Sequence, residues 1–410
     1  MTGDPAAATG QANAATNVSR PLRLFLIAGE HSGDALGAKL MAALVGAHGA
    51  AITFAGVGGE LMEGQGLVSL FAMSEVAVMG PLAILKRLPP IVRRVYQTID
   101  AVLANPPDAI VIIDAPEFTH AIAKRVRRKR PEIPIIDYVS PTVWVWRPGR
   151  ARAMRPYVDH LLALFPFEPA AHERLGGPPC TYVGHPLAER LEVIRALDPA
   201  GLRGRLGLDP TRKVLLVLPG SRRSEVGLLL EPFRQAAHAL AEVGALPEII
   251  IPVVSSVRDM IASSLPQWPG QPHLVEGDDD KWLSFRLADA ALAASGTVTL
   301  ELAVAGTPMV IAYKVEPWFG VILRRMVKVG MAGLPNLIMD EMIFPEFMQE
   351  ACTPEALAAA VGALLSDTPQ RQRQLTALAD IPRRLAAPSS NPSDAAARIV
   401  LAHALPRWRG

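Results

Sequence analysis

Short apolar runs alternate with helical periodicity twice along this chain, and that rhythm leaves few folds open. In the first half, 22–27 (LRLFLI), 52–55 (ITFA), 109–113 (AIVII), 134–139 (PIIDYV) and 160–164 (HLLAL) read as strands. Helical patterns fall between them, notably at 34–45 and 90–104, where Ile91, Val95, Ile99 and Val102 form one core-facing stripe. This grammar predicts a parallel sheet with helices on both faces. After the stretch GHPLAERLEVI (184–194) the pattern restarts at 213–218 (KVLLVL) and continues through 248–254, 273–275, 289–293 and 309–313. A chain of 410 residues exceeds the roughly 250–300 at which one core stops growing. Two doubly wound parallel-sheet domains in tandem are therefore expected.

Composition narrows the setting. A formal net charge of +2 gives no global attraction to nucleic acid, so none is expected as a partner. The two cysteines, Cys180 and Cys352, lie far apart and lack metal-ligand spacing, which suits a reducing, cytoplasmic protein without a disulfide framework. Residues 1–20 lack the positive start and apolar stretch of a signal peptide and read as a disordered tail. The apolar segment Ala290–Tyr313 carries Glu301 as its single formal charge. Gly296, Gly306 and Pro308 divide it, so strand, helix and strand are expected there and not a membrane-spanning helix.

Ligands of doubly wound sheets sit beyond the carboxyl ends of the strands, and two facing domains enclose a cleft. In the first domain those ends carry Gly29-Glu30-His31-Ser32-Gly33-Asp34, Asp114-Ala115-Pro116-Glu117 and Ser140-Pro141-Thr142. The first stretch lacks G-x-G-x-x-G, yet glycines that permit close approach and helix amides that attract anions keep the physics of such a turn. The alternative is that Ser32 or Asp34 caps the helix, and Asp114 has the same second reading.

In the second domain Leu218-Pro219-Gly220-Ser221-Arg222 sets a glycine, a hydroxyl and a guanidinium after a strand, as a diphosphate would need. A surface turn with a solvated arginine is the alternative. Ser295-Gly296-Thr297 opens a helix bearing Glu301 in an apolar run, where an acid needs a partner. Ribose hydroxyls would serve, as would local backbone or an arginine. Gly277-Asp278-Asp279-Asp280 reads as the start of a helix, and no metal or other cofactor is assigned. His120, His160 and His273 read as packing or surface residues.

The stretch 78–88 (VMGPLAILKRL) is of another kind. Val78, Met79, Leu82 and Leu85 stand beside Lys86 and Arg87, with further positive charge at Arg93, Arg94 and 124–130 (KRVRRKR). An apolar patch rimmed by basic residues suits an anionic membrane surface or a lipid substrate, against a core-packed loop beside solvated helix faces.

With these motifs assembled, the chain resembles the lipid-A-disaccharide synthases, GT-B-fold glycosyltransferases of Gram-negative bacteria, from about Leu22 to the C-terminus. The resemblance rests on 29–34 (GEHSGD), 113–116 (IDAP), 138–141 (YVSP), 144–147 (WVWR), 184–187 (GHPL), 218–222 (LPGSR), 294–297 (ASGT) with Glu301, and 334–337 (LPNL). The part from Ser295 to Glu301 is also similar to the nucleotide-sugar site of the peptidoglycan N-acetylglucosaminyl transferase.

The resemblance implies two Rossmann-like domains facing a cleft. Residues 21–188 would be the acceptor and membrane-facing domain, 189–369 the UDP-sugar domain, and 370–410 helices that return to the first domain. It implies inverting transfer of 2,3-diacylglucosamine from UDP to the 6-hydroxyl of 2,3-diacylglucosamine 1-phosphate, giving a β-1,6 disaccharide and UDP, without a bound metal. Asp114 is assigned as general base, with Glu30 and Asp34 as rivals, and Ser32 as a substrate-orienting group. Arg222, Ser295, Gly296, Thr297, Glu301, Asn336 and Gln349 would serve the donor, Arg222 at the diphosphate and Glu301 at ribose. The acylated substrates give Val78–Leu88 a purpose at the cytoplasmic face of the inner membrane, and some family members pair as homodimers. The competing readings are another GT-B UDP-sugar enzyme, such as a 2-epimerase, and a non-catalytic nucleotide-sugar-binding protein.

Overall fold

The computed structural model describes residues 20–49, 51–76, 88–144, 147–316, 331–386 and 391–409. The first domain contributes β1 (Leu22–Ala28), β2 (Ile52–Val57), β3 (Val68–Ser69), β4 (Ala109–Ile113), β5 (Ile135–Tyr138), β6 (His160–Ala163) and β7 (Cys180–Tyr182). They form one sheet in the order β3-β2-β1-β4-β5-β6-β7 with parallel pairing throughout. The second contributes β8 (Val214–Leu218), β9 (Glu248–Pro252), β10 (His273–Val275), β11 (Ala290–Ala294), β12 (Met309–Tyr313) and β13 (Glu346–Met348). Their order is β10-β9-β8-β11-β12-β13, again parallel.

The central strands β4 (AIVII), β8 (VLLVL) and β11 (AALAA) are buried at every residue, so both faces of each sheet must be covered. On one face of the first sheet, Leu36, Leu40 and Leu44 of the helix His31–His48 meet Leu24, Leu26, Val111 and Ile113. On the other, Val95, Ile99 and Val102 of the helix Leu88–Ala104 meet Phe25, Ile27, Ile110 and Ile112, with Ile91 packed at the edge. In each sheet the chain reverses direction beside its first strand, between β1 and β4 and between β8 and β11. These are the switch points where doubly wound sheets open a crevice.

Several details differ from the expectations. The short edge strands β3, β7 and β13 add to the predicted set, and the helix after β1 starts at His31 and not at residue 34. The segment Ala290–Tyr313, in contrast, is strand, helix and strand as expected: β11, the helix Thr297–Ala305 and β12. Arg20, assigned to the tail, is held by a two-pronged contact from its guanidinium to Asp108 at 2.8 Å. Of the segment 370–410, the helix Pro369–Arg384 buries Ala377, Leu378 and Ile381 in the second domain's core. Among the described residues of this segment, only the helix Pro392–Arg409 crosses to the first sheet, where Ala396, Ala397, Val400 and Ala404 are fully buried. Residues 1–19 and the patch residues Val78, Met79, Leu82, Leu85, Lys86 and Arg87 lie outside the described residues.

Candidate active site

The turns after β1 and β4 touch at the first switch point. Ser32 is exposed in the first turn of the helix His31–His48, and its Oγ donates to Asp114 Oδ2 at 3.1 Å. The other carboxylate oxygen of Asp114 accepts from the Ala115 amide at 2.8 Å. Asp114 and Ala115 are both left-handed, with φ of 54° and 44°. Such backbone costs about 1–2 kcal/mol per non-glycine residue and persists only where the surroundings enforce it. Gly29 makes the contact between the turns feasible, since a Cβ there would stand 2.6 Å from Ala115 Cβ.

Asp34, a rival for the base, has another use. Its buried carboxylate accepts from the amides of Gly59 at 2.8 Å and of Leu61 and Met62 at 3.1 Å. It caps the short helix Glu60–Glu63 and not its own, so it is not available to a substrate hydroxyl. Ser32 does not cap its helix either, because Glu30 occupies that position without a side-chain bond.

Glu30 remains, partly buried in the turn after β1. Burial raises its carboxyl above the ordinary value, the Asp114 charge raises it further, and Arg222 of the second domain draws it down. Glu117 adds a smaller upward push. Burial would also raise the Glu117 carboxyl, but the Arg150 guanidinium, bonded to it at 2.9 Å, holds it below its usual range.

A pocket of ≈ 770 Å³ lies at the carboxyl ends of β8, β9, β10 and β11, lined in part by Ser221, Arg222, Ser295, Gly296, Thr297 and Glu301. Gly220 (φ 124°) turns the chain after β8, where a Cβ would meet Glu225 Cβ at 2.7 Å. Glu225 organises this loop: Oε1 takes Arg222 Nη1 at 3.0 Å and Oε2 accepts from the Ser221 amide at 3.3 Å. Opposite, the helix Thr297–Ala305 aims its amino end at the pocket.

The partner of Glu301 is neither backbone nor an arginine but Lys281, whose Nζ lies 3.2 Å from Oε1. Burial raises the Glu301 carboxyl above its usual range, against the pull of Lys281. Lys281 also pairs with Asp278 at 3.0 Å at the start of the helix Asp278–Leu287. Among the described residues no group of three or more His, Cys, Asp or Glu could hold a metal ion.

Two expected donor residues stand apart from the pocket lining. Asn336 is fully buried, its amide nitrogen donating to Phe344 O and to Glu346 Oε1 at 2.7 Å, its oxygen accepting from the amides of Ile343 and Phe344 at 2.9 Å. Glu346 in turn holds the amides of Ala332 and Gly333. Asn336 thus organises the segment before β13. Gln349 is left-handed (φ 52°), and its buried Nε2 has no hydrogen-bond partner among the described residues. Sequence reasoning missed Glu225 and Lys281. The i,i+3 pairing of Glu225 with Arg222 was a usable signal, whereas Lys281 stands 20 residues from Glu301.

Comparison with known proteins adds the decisive observation. The family profile described as lipid-A-disaccharide synthetase matches residues 24–400. A lipid-A-disaccharide synthase of Nitrobacter winogradskyi is 51% identical over 95% of this chain and 96% of its own. The chain belongs to the lipid-A-disaccharide synthase family. A synthase from Ruegeria pomeroyi, 44% identical over 85% of this chain and 88% of its own, carries the same name. Membership in the lipid-A-disaccharide synthase family makes the chain a glycosyltransferase of lipid A biosynthesis. A UDP-GlcNAc 2-epimerase from Neisseria meningitidis superposes with a TM-score of 0.60 at 12% identity, covering 94% of this chain and all of that one. A glycosyltransferase from Rickettsia africae does so with 0.58 at 11% identity, covering 94% and 98%. These likenesses establish the GT-B architecture that this synthase family shares with epimerases. Among the described residues no helix is long and apolar enough to cross a membrane.

Proposed function

We propose that the chain condenses UDP-2,3-diacylglucosamine with 2,3-diacylglucosamine 1-phosphate to the β-1,6-linked disaccharide 1-phosphate, releasing UDP with inversion. Family membership supports the reaction class. The observation that carries the site is the contact of Ser32 with Asp114 at one switch point, together with the second-domain pocket lined by Arg222, Ser295 and Glu301. In this reading residues 21–188 receive the acceptor and 189–369 the UDP-sugar.

Inverting transfer needs a base on the attacking hydroxyl and positive character at the departing diphosphate. Asp114, fixed through Ser32 and the Ala115 amide, takes the proton of the acceptor 6-hydroxyl as that oxygen attacks the anomeric carbon. Arg222, steered by Glu225, and the amides at Ser295–Thr297 receive the diphosphate. Glu301 exchanges part of its Lys281 contact for ribose hydroxyls. Asn336 and Gln349 support the donor side from behind. Glu30 is the remaining rival base.

The acyl chains imply contact with the cytoplasmic face of the inner membrane through Val78, Met79, Leu82, Leu85, Lys86 and Arg87. Replacing Leu82 and Leu85 by Ser should move the protein from membrane to soluble fraction, and unchanged partitioning would remove this assignment. The reaction itself is tested by UDP release from the acylated donor with and without the acylated acceptor phosphate, followed by product mass. Acceptor-dependent release of UDP with a tetra-acylated disaccharide phosphate is expected. UDP formed without acceptor would favour an epimerase-type reaction instead.

A further inference from the structure

The proposed acceptor carries a dianionic phosphate on the side of its sugar ring away from the attacking hydroxyl. A site that fixes the hydroxyl at Asp114 therefore needs a cation about one pyranose ring away. The helix Pro116–Lys129 starts two residues after Asp114, and Glu117 lies in its first turn. At this helix start Arg150, in the helix Gly149–Met154 that follows β5, extends its Nη2 to Glu117 Oε1 at 2.9 Å. Arg147, exposed and left-handed at φ 53°, stands one turn before it, its carbonyl accepting from the Arg150 amide at 2.9 Å.

The pair is built to exchange partners. Glu117 is 64% exposed and Arg150 25%, and an ion pair with one partner so open to water contributes about 0–1 kcal/mol. A phosphate monoester brings two charges and oxygens that match the guanidinium fork, which makes it the stronger partner. Arg222 is not the group for this task, since it lies in the donor pocket.

We propose that Arg150 binds the phosphate monoester of the acceptor, with Glu117 occupying its guanidinium until the acceptor arrives. The assignment rests on the reaction proposed above and adds its acceptor subsite. Specificity for a phosphorylated acceptor then comes from a short helix beside the base and is independent of the donor pocket.

The test compares kcat/KM for 2,3-diacylglucosamine 1-phosphate and for the same sugar without phosphate, in the wild type, Arg150→Ala and Arg150→Lys. Charge-assisted bonds to phosphate predict that R150A raises the KM for the phosphorylated acceptor by roughly 10–100-fold. The preference over the unphosphorylated sugar should collapse with it, while the donor KM, UDP affinity and melting temperature stay at wild-type values. R150K, keeping the charge without the fork, should recover part of the preference. Undiminished preference in a folded R150A protein overturns the subsite alone, as does a loss that R150K does not relieve. Failure of the wild type to use either acylated sugar overturns the reaction and the subsite together.

Discussion

Ser32 Oγ donates to Asp114 Oδ2 at 3.1 Å, joining the turn after β1 to the turn after β4 through one exposed hydroxyl. The bond orients a carboxylate whose own backbone is held left-handed, so the direction of its free lone pairs is set before substrate arrives. Asp114→Asn keeps the shape and removes the basicity. Turnover should fall by roughly 10²–10⁴-fold with UDP affinity unchanged, as read from steady-state kinetics and calorimetric titration of UDP. Glu30→Gln assayed beside it separates the two carboxylates, and the larger loss of kcat identifies the base.

Arg222 pairs with Glu225, and in the proposed complex it also meets the diphosphate. Arg222→Ala should weaken UDP binding by roughly 10–100-fold, the worth of charge-assisted hydrogen bonds to a phosphate. Titration of UDP measures it. Arg222→Lys should lose less, because the charge remains while the fork is gone.

Asp34 predicts a loss of stability and not of chemistry alone. Removing its carboxylate with Asp34→Ala leaves three amides, at Gly59, Leu61 and Met62, without their acceptor. Only the Met62 bond is fully buried, and water can replace the acceptor at the part-buried bonds of Gly59 and Leu61, so the first domain should be destabilised by about 1–3 kcal/mol. Asp34→Asn, which keeps one acceptor oxygen, should cost less. Chemical denaturation followed by a probe in the first domain distinguishes them.

Glu168 sets a pH dependence far from the reacting groups. Burial pushes its carboxyl up to about 8, against the pull of the Phe165 and Leu164 amides, the first of which donates to it at 2.8 Å. The folded chain therefore keeps a proton that the unfolded chain releases above about 4.3. Its contribution is fully present below that value and is lost as pH rises through about 8. Glu168→Gln should flatten the fall of melting temperature between those limits, and a wild-type-like slope in the variant would contradict this.

The central strands were legible because strands buried on both faces write unbroken apolar runs. β3, β7 and β13 were not, since their two or three residues are half-exposed and carry no period. The start of the helix after β1 was misread for a related reason. Glu30 caps it without a side-chain bond, while Ser32 and Asp34, which have the chemistry of caps, bond to other segments. The turns of the site could be found at strand ends, but their partners could not. Asp34 reaches 25–28 residues ahead, Glu301 pairs over 20 residues and Arg150 over 33, and no local spacing encodes such contacts. Only folding the sheet brings them together.

The helix Pro392–Arg409 fills the face of the first sheet with Ala396, Ala397, Val400, Leu401 and Ala404, packed against the helix that begins at the Ser32 turn. On the ribosome this makes the first sheet wait for a helix encoded after the second domain. The first sheet emerges early with one face unfinished, the second domain is synthesised in between, and an 18-residue helix made after both closes the core. A nascent chain halted before residue 392 thus carries an open apolar groove where the finished enzyme has a wall.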